Sequence, residues 1–105
     1  MNSELEYKIA VKGDILIVSF RGVFIKEHLG TLEACHKEVL ENKKAKVILI
    51  LKDVSEIDQS VIRQFSLFQQ DIRKNHVSLA IVGLSKIIKQ YLLDKGILRL
   101  NELKN

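Results

Sequence analysis

The sequence predicts an α/β fold built on a mixed sheet of four to five strands, with an antiparallel hairpin at one edge, parallel strands elsewhere and helices mainly on one face. Apolar residues recur at every second position near the start of the chain and at every third or fourth position in the segments that follow, which indicates strands and then helices. Two short apolar runs, residues 47–51 and 77–82, are rich in β-branched residues, as in strands covered on both faces. At 105 residues there is room for one domain, which we expect to span residues 1–105.

The chain opens with a predicted β-hairpin. Tyr7, Ile9 and Val11 alternate with polar or small residues, which is typical of a strand with one solvent-facing side. Gly13, followed by an aspartate, predicts a tight turn, because glycine tolerates a positive φ and aspartate can bond to its own backbone. Residues 15–20 follow as a second, more apolar strand.

A first helix is predicted over residues 25–42, where residues three or four apart share one face: Ile25, Leu29, Leu32, His36, Val39 and Lys43. Phe24, in the loop before this helix, is expected to be a surface residue. Residues 47–51 form the next strand, and the polar residues 52–57 are expected to be a turn-like connection.

The second helix is predicted to begin at Asp58, because a carboxylate suits the N-cap position. Its residues at i, i+4, i+7 and i+11 form one apolar stripe: Val61, Phe65, Phe68 and Ile72. Leu67 falls almost opposite this stripe, so it is expected at the surface. The helix is expected to end near Lys74.

Another buried strand is predicted over residues 77–82 and a third helix after Ser85, which is placed to cap it. Gly96 fits the position just past that helix, where a left-handed conformation is favoured. Residues 97–100 are expected to add a short edge strand. Because strand–helix–strand crossovers are right-handed, crossovers that all run the same way place the helices on one face.

Composition excludes several classes of function. The formal net charge is +4, but the cations are scattered among acidic residues, and there is no basic stripe with interleaved aromatic residues, so nucleic-acid binding is not expected. No apolar run approaches the roughly 20 residues of a membrane span, which predicts no membrane insertion. A single cysteine, Cys35, and a polar start without signal-peptide character favour the cytoplasm.

Enzyme signatures are missing. There is no glycine-rich phosphate loop, nucleophile elbow or zinc-binding spacing, so we expect no catalysis and no metal or cofactor. His36 lies on an apolar helical face and is expected to be a partly buried, hydrogen-bonded core residue, and Cys35 a small semi-buried side chain. A nucleotide hydrolase that uses Asp53 and Asp58 is the weaker alternative.

The candidate site is the turn that follows residues 47–51, because α/β domains place their sites at the strand-to-helix loops. Five polar residues follow that strand: Asp53, Ser55, Asp58, Gln59 and Ser60. A helix N-terminus presents free N–H groups and a partial positive charge, which suit an anion or a phosphoryl group. The alternative is that Asp58 only caps the helix and that the next two residues are ordinary first-turn residues.

The run VILILKDVSEIDQS, residues 47–60, resembles the signature of STAS domains, the sulfate transporter and anti-sigma factor antagonist family. In that family a buried strand leads through an Asp-x-Ser loop to an Asp-Ser-Ser-Gly or Asp-Thr-Ser-Gly motif that opens a helix. Gly22, Thr31-Leu32 and residues 85–98 extend the likeness over almost the whole chain. The resemblance implies a STAS-like fold and a regulatory domain. In bacterial antagonists of this kind, an anti-sigma kinase phosphorylates the Ser or Thr after the motif's Asp, which weakens binding to that kinase.

The sequence departs from the family at that motif, where Asp58-Gln59-Ser60-Val61 stands in place of Asp-Ser-Ser-Gly. Gln59 occupies the phosphoacceptor position and has no hydroxyl group. Ser60 retains the second serine and is the remaining candidate phosphoacceptor. Val61 replaces the glycine, and Arg63 stands where the family often has a small residue.

The resemblance therefore implies a protein-binding regulator that acts by partner switching without the usual phosphoacceptor, with a kinase-like anti-sigma factor as partner. Its predicted contact surface is Asp58, Gln59, Ser60, Val61, Arg63 and Leu67. The alternative is a structural STAS subunit docked on the cytoplasmic ATPase of a membrane transporter, where phosphorylation is dispensable. Helices on one face leave apolar sheet surface open, so a homodimer is a further alternative.

Overall fold

The computed structural model describes residues 4–104, so the predicted lack of a signal peptide, which concerns the first residues, lies outside the described residues. The strands and helices follow one another in the order β1 (Leu5–Lys12), β2 (Ile15–Phe24), α1 (Leu29–Asn42), β3 (Lys46–Ile57), α2 (Gln59–Lys74), β4 (Ser78–Val82), α3 (Lys86–Asp94) and β5 (Leu103–Lys104). Short 3₁₀ turns at Lys26–His28 and Leu100–Glu102 precede α1 and β5.

The five strands form one mixed sheet in the order β1-β2-β3-β4-β5. β1 and β2 are antiparallel, and every other neighbouring pair is parallel. Alternate strand residues such as Leu16 and Leu49 share one apolar cluster with Leu32, Phe65 and Leu92 of the three helices. The α/β class and the mixed sheet are therefore confirmed, and the helices cover one face.

β2 is longer than predicted, and the expected surface position of Phe24 is wrong. The strand continues to Phe24, whose side chain is fully buried. Its ring packs edge-on against Phe20 and Phe65, with centroids 5.1 and 5.6 Å apart. The strand continues because β3 runs beside it to the end, where Phe24 is in register with Ile57.

The prediction of a turn over residues 52–57 is also wrong, because β3 continues through this segment to Ile57. Leu51, Val54 and Ile57 are buried, and two exposed residues separate each from the next. The register between β2 and β3 shifts at two places, next to Arg21 and next to Gly22. Such irregularities interrupt the regular alternation of buried and exposed residues along a strand. The segment therefore has more polar residues than a regular strand, and its sequence resembles that of a loop.

The last strand is misplaced in the sequence prediction. Residues 97–100 do not form it; Ile97 and Leu98 instead pack against the core, and β5 comes after the 3₁₀ turn at Leu103–Lys104. The side chain of Glu102 in that turn is buried and accepts two hydrogen bonds from Arg73 of α2, at 2.5 and 3.0 Å. This ion pair ties the end of the chain to α2.

The apolar stripe of α2 and the caps are confirmed, whereas two members of the stripe predicted for the first helix lie outside α1, Ile25 before it and the exposed Lys43 after it. Val61, Phe65, Phe68 and Ile72 are all buried, and Ser85 caps α3 by accepting the backbone N–H of Ile88 at 3.2 Å. Gly96 has the expected positive φ of 73°. The first helix begins later than predicted, since the 3₁₀ turn takes up residues 26–28.

His36 belongs to α1, and its side chain packs against α2, where it is hydrogen-bonded and partly buried as predicted. Its Nε2 atom is 2.8 Å from Asp71 Oδ2, and Gln64 Nε2 is 3.2 Å from its Nδ1 atom. The imidazole stacks on Phe68 at 5.0 Å. Cys35, expected to be semi-buried, is fully buried, because its side chain faces the sheet.

Candidate functional site

The candidate site begins where β3 ends and α2 starts. The backbone N–H of Asp58 donates to the carbonyl oxygen of Phe24 at 2.9 Å, so the turn is attached to the ends of β2 and β3. Asp58 itself has an extended backbone, with φ −97° and ψ 165°, and its carboxylate accepts the backbone N–H of Ser60 at 2.7 Å. This is the geometry of an N-cap.

The Asp58 carboxylate is held in its charged form. The Ser60 hydroxyl donates to it and lowers its pKa, and the backbone N–H groups of Ser60, Lys26 and Val61 lower the pKa further, against a smaller opposing effect of burial. Hydrogen bonds to the charged form favour ionisation. The Asp58 carboxylate therefore already accepts hydrogen bonds from the backbone N–H groups at the N-terminus of α2, as the alternative of a simple N-cap predicts.

Three of the predicted contact residues line one shallow groove. Gln59, Arg63 and Leu67 lie on the outward face of α2, and the groove beside them has a volume of about 480 Å³. Leu67 is 41% exposed, which confirms its predicted surface position. We call this surface, with its full lining, the α2 groove: Gln59, Ile62, Arg63, Ser66, Leu67, Gln70, Lys95 and Ile97.

The other predicted site residues do not line the α2 groove. Asp58 and Ser60 lie at the turn, and Val61 is fully buried, so Val61 supports the helix from the core side and offers no contact surface. Asp53, five residues before Asp58 in an extended strand, is about 16 Å away from it along the chain. The grouping of Asp53 with the turn is wrong, because a strand takes the place of the expected loop.

Sequence reasoning missed five residues of the α2 groove. Ser66 and Gln70 lie on the same helical face as Gln59 and Arg63, so the helical period could have found them. Lys95 and Ile97 come from the segment after α3, more than 20 residues from α2, and no local pattern connects them to it.

The α2 groove has a definite chemical character. Arg63 and Lys95 supply positive charge, and Ile62, Leu67 and Ile97 supply apolar surface. Among residues 4–104, no acidic side chain lines the groove. It therefore suits a protein surface that presents an apolar side chain beside a carboxylate. Across residues 4–104 no group of three or more His, Cys, Asp or Glu side chains could hold a metal ion.

Comparison with known proteins identifies the family. The family model described as the STAS domain matches residues 6–105, which is nearly the entire chain. The chain belongs to the STAS domain family. No curated protein is significantly similar to it in sequence. Within the described part of this STAS domain, no helix has both the length and the apolarity that a membrane crossing requires.

Solved structures share the fold of this STAS domain. SpoIIAA of Bacillus in its phosphorylated form has a TM-score of 0.72 and 9% identity, over 94% of this chain and 89% of that chain. A sulfate transporter family protein from Wolinella succinogenes has a TM-score of 0.76 and 22% identity, over 90% and 79%. An anti-sigma factor antagonist from Mycobacterium paratuberculosis has a TM-score of 0.71 and 14% identity, over 94% and 90%.

The family assignment gives meaning to the first turn of α2. Gln59 is the first residue of the helix, directly after the capping Asp58, and it is exposed beside the α2 groove. In this STAS domain a neutral amide therefore stands where the family resemblance puts a hydroxyl group. The adjacent hydroxyl, that of Ser60, is engaged with the Asp58 carboxylate.

Proposed function

We propose that this STAS domain is a cytoplasmic regulatory module that binds a kinase-like anti-sigma factor through the α2 groove, and that it stays competent to bind without a phosphate switch. The observation that carries this proposal is Gln59, an exposed amide at the first position of α2. The domain acts by binding and not by catalysis.

Charge explains why Gln59 matters. A phosphate on a first-turn residue would add about −1.5 to −2 charges beside the Asp58 carboxylate, which is how phosphorylation disrupts an interface. Gln59 cannot accept a phosphate, so the charge of the α2 groove stays positive. Modification of Ser60 would remove the hydroxyl that donates to Asp58 and place a second anion against it. The contact between Ser60 and Asp58 therefore supports the proposal that Ser60 is not used as a phosphate switch.

The first experiment identifies the partner at the groove. A photoreactive amino acid is incorporated in place of Leu67 in cells of the source organism. The proteins that crosslink to it are then identified by mass spectrometry. Ile87 of α3 gives a matched control, since it is also an exposed aliphatic residue on a helix, 84% exposed, and lies outside the α2 groove. An ATP-binding anti-sigma factor captured from position 67 and absent from position 87 supports the proposal; equal capture from both positions contradicts it.

The second experiment tests binding and the switch separately. With the identified partner, Leu67→Asp should weaken binding about tenfold or more, because it puts an anion into an apolar contact, whereas Ile87→Asp should leave binding unchanged. Intact-mass measurement after incubation with the partner and ATP should show no phosphate. A stoichiometric phosphate that disappears in Ser60→Ala would overturn the claim that binding is constitutive.

A second candidate is a structural subunit of a transporter ATPase complex. It is favoured by Gln59, because a structural role needs no phosphoacceptor, and by the likeness in fold to the Wolinella succinogenes sulfate transporter family protein. The crosslinking experiment separates the two candidates. Capture of a transport ATPase from position 67, in place of an anti-sigma factor, would favour this second function.

A further inference from the structure

The face of the sheet opposite the helices carries an apolar floor. Strand pairing places residues of four strands side by side in one row: Ala10, Ile17, Ile48 and Ala80. The neighbouring rows add Ile15, Ile50 and Val82 to the floor. The isoleucines and Val82 are half-buried, and none of these residues belongs to the core cluster beneath the helices. The core cluster joins the helices to the other face of the sheet, while on this face Ala10 is exposed and Ala80 is buried.

Lysines surround this floor. In one neighbouring row Lys12 and Lys46 flank Ile15, and in the other Lys8 and Lys104 stand at the two ends, beyond Ser19 and Val82. Across these three rows there is no aspartate or glutamate, and the next row on the same face, beyond Lys8, holds Glu6, Arg21 and Asp53. Within residues 4–104, none of the four lysines forms an ion pair, and the Lys104 ammonium donates only to the carbonyl oxygen of Asn101, at 3.2 Å.

The size of the surface suits one helix. Four strands spaced about 4.8 Å apart span about 14 Å, and three rows along the strands span about 13 Å. An α-helix with its side chains is about 10 to 12 Å in diameter, so one helix would cover the floor while its edges meet the lysines. Lysine side chains are longer than isoleucine side chains, so the ammonium groups form a raised rim above a recessed floor.

The charge pattern selects the occupant. We propose that this lysine-rimmed sheet face binds an amphipathic helix of a protein partner whose apolar stripe is bordered by aspartate or glutamate. The stripe lies on the isoleucine floor and the carboxylates meet Lys8, Lys12, Lys46 and Lys104. The face lies on the opposite side of the sheet from the α2 groove, so this interaction is separate from the proposed regulatory contact.

Two other occupants fit the surface less well. A second copy of the chain, placed face to face with the two floors aligned, would bring two lysine rims together, and the nearest carboxylates on this face, Glu6 and Asp53, lie in the row beyond Lys8 at one end only. A flat anionic bilayer would meet the raised ammonium groups first and would not reach the recessed, half-buried isoleucines, whereas interfacial binding requires apolar side chains that protrude.

Titration with a defined peptide tests the proposal. The probe is a synthetic peptide of about 20 residues, with leucines at helical spacing and glutamates on both sides of the stripe. Amide chemical shifts of the isotope-labelled domain should move in β1, β2, β3 and β4 at the floor residues and not along α2. A peptide with the glutamates changed to lysines should not bind.

Variants separate the floor from the rest of the molecule. Lys8→Glu with Lys46→Glu should weaken peptide binding about tenfold or more, and Ile48→Thr, which keeps a β-branched side chain, should weaken it as well. The matched control is Lys37→Glu with Lys86→Glu, two exposed lysines of α1 and α3, which should bind normally. The Leu67→Asp variant should also bind the peptide normally. This result would show that peptide binding does not involve the α2 groove.

Several outcomes would overturn the proposal. They are an absence of binding, shifts located on α2, equal binding of the lysine peptide, or equal loss in the control variant. Co-sedimentation with phosphatidylglycerol vesicles that Lys8→Glu with Lys46→Glu abolishes would assign the face to a membrane. Sedimentation of the free domain as a dimer that Ile48→Thr dissociates would assign it to a second copy.

Discussion

The Asp58 carboxylate receives both the backbone N–H and the hydroxyl group of Ser60, at the same oxygen atom. One short side chain thus caps α2 and engages the one remaining hydroxyl of the motif. The turn between β3 and α2 is consequently a closed unit, and the neighbouring Gln59 is left to face solvent.

The Asp58 N-cap makes the free energy of unfolding depend on pH under acidic conditions. Hydrogen bonds lower the pKa of Asp58 in the folded state, so its contribution to stability is present above the unfolded pKa of about 3.9 and is lost as the pH falls through the folded pKa. Asp58→Asn should therefore be less stable than the wild type at pH 7, and the difference should shrink near pH 3. Urea unfolding at both pH values measures it. A difference that does not change with pH would contradict the role of the charge.

Gly22 is required by the way β1 meets β2. Its φ is +122°, and a Cβ atom there would overlap the backbone carbonyl of Glu4, whose oxygen accepts the N–H of Val23 at 3.0 Å. Gly22→Ala should lower the free energy of unfolding by about 2 kcal/mol or more.

Gly30 supplies the matched control for Gly22. It lies in α1, and an added Cβ would meet nothing within 4 Å. Gly30→Ala should raise the free energy of unfolding by up to about 0.5 kcal/mol, because alanine favours the helix and Gly30 lies in its first turn, where the preference is weaker than in the interior. Chemical denaturation of the two variants beside the wild type decides the matter, and effects of the same sign would count against the backbone described here.

The Cys35 thiol should be inert in the folded protein. Burial raises its pKa to about 12, with a smaller contribution from the Glu38 carboxylate, so the reactive thiolate is almost absent at pH 8. Iodoacetamide at pH 8 should leave the native protein unmodified and label it fully in denaturant, as read by intact mass. Because the pKa is raised, wild-type stability should also decline above about pH 8.5, and Cys35→Ala should lack that part of the decline. Rapid native labelling would contradict the burial.

Removing only one partner of the ion pair between Arg73 and Glu102 should lower the stability of the fold substantially. The two side chains are only 16% and 8% exposed, so removing one partner leaves a buried charge uncompensated. Arg73→Ala should therefore lower the free energy of unfolding by about 3 kcal/mol, whereas Arg73→Met with Glu102→Leu should recover much of this loss. Lys74→Ala, an exposed neighbour in α2, is the control and should change little. A double variant no more stable than the single one would argue against an electrostatic cause.

Local patterns predicted most of this fold. The stripe from Val61 to Ile72 and the caps at Asp58 and Ser85 were correct, because both depend on residues within one or two helical turns. The ends of β2 and β3 were missed, since Val54 and Ile57 are buried at a spacing of three that only the irregular pairing with β2 explains.

The candidate site divides in the same way. Gln59, Arg63 and Leu67 could be placed on the outer face of α2 from the helical period alone. Lys95 and Ile97, which complete the α2 groove, could not, because their position depends on how the segment after α3 packs in three dimensions. The same holds for Glu102, which meets Arg73 from 29 residues away.

The strand order of the sheet equals the order of the strands in the chain. Each new strand pairs with the one synthesised just before it, so no segment has to wait for a distant part of the chain before it can be added. Since chains emerge from the ribosome N-terminus first, the hairpin of β1 and β2 can serve as the template for β3, and β3 for β4. The sheet can thus grow from one edge as translation proceeds, and the two-residue β5 completes it last.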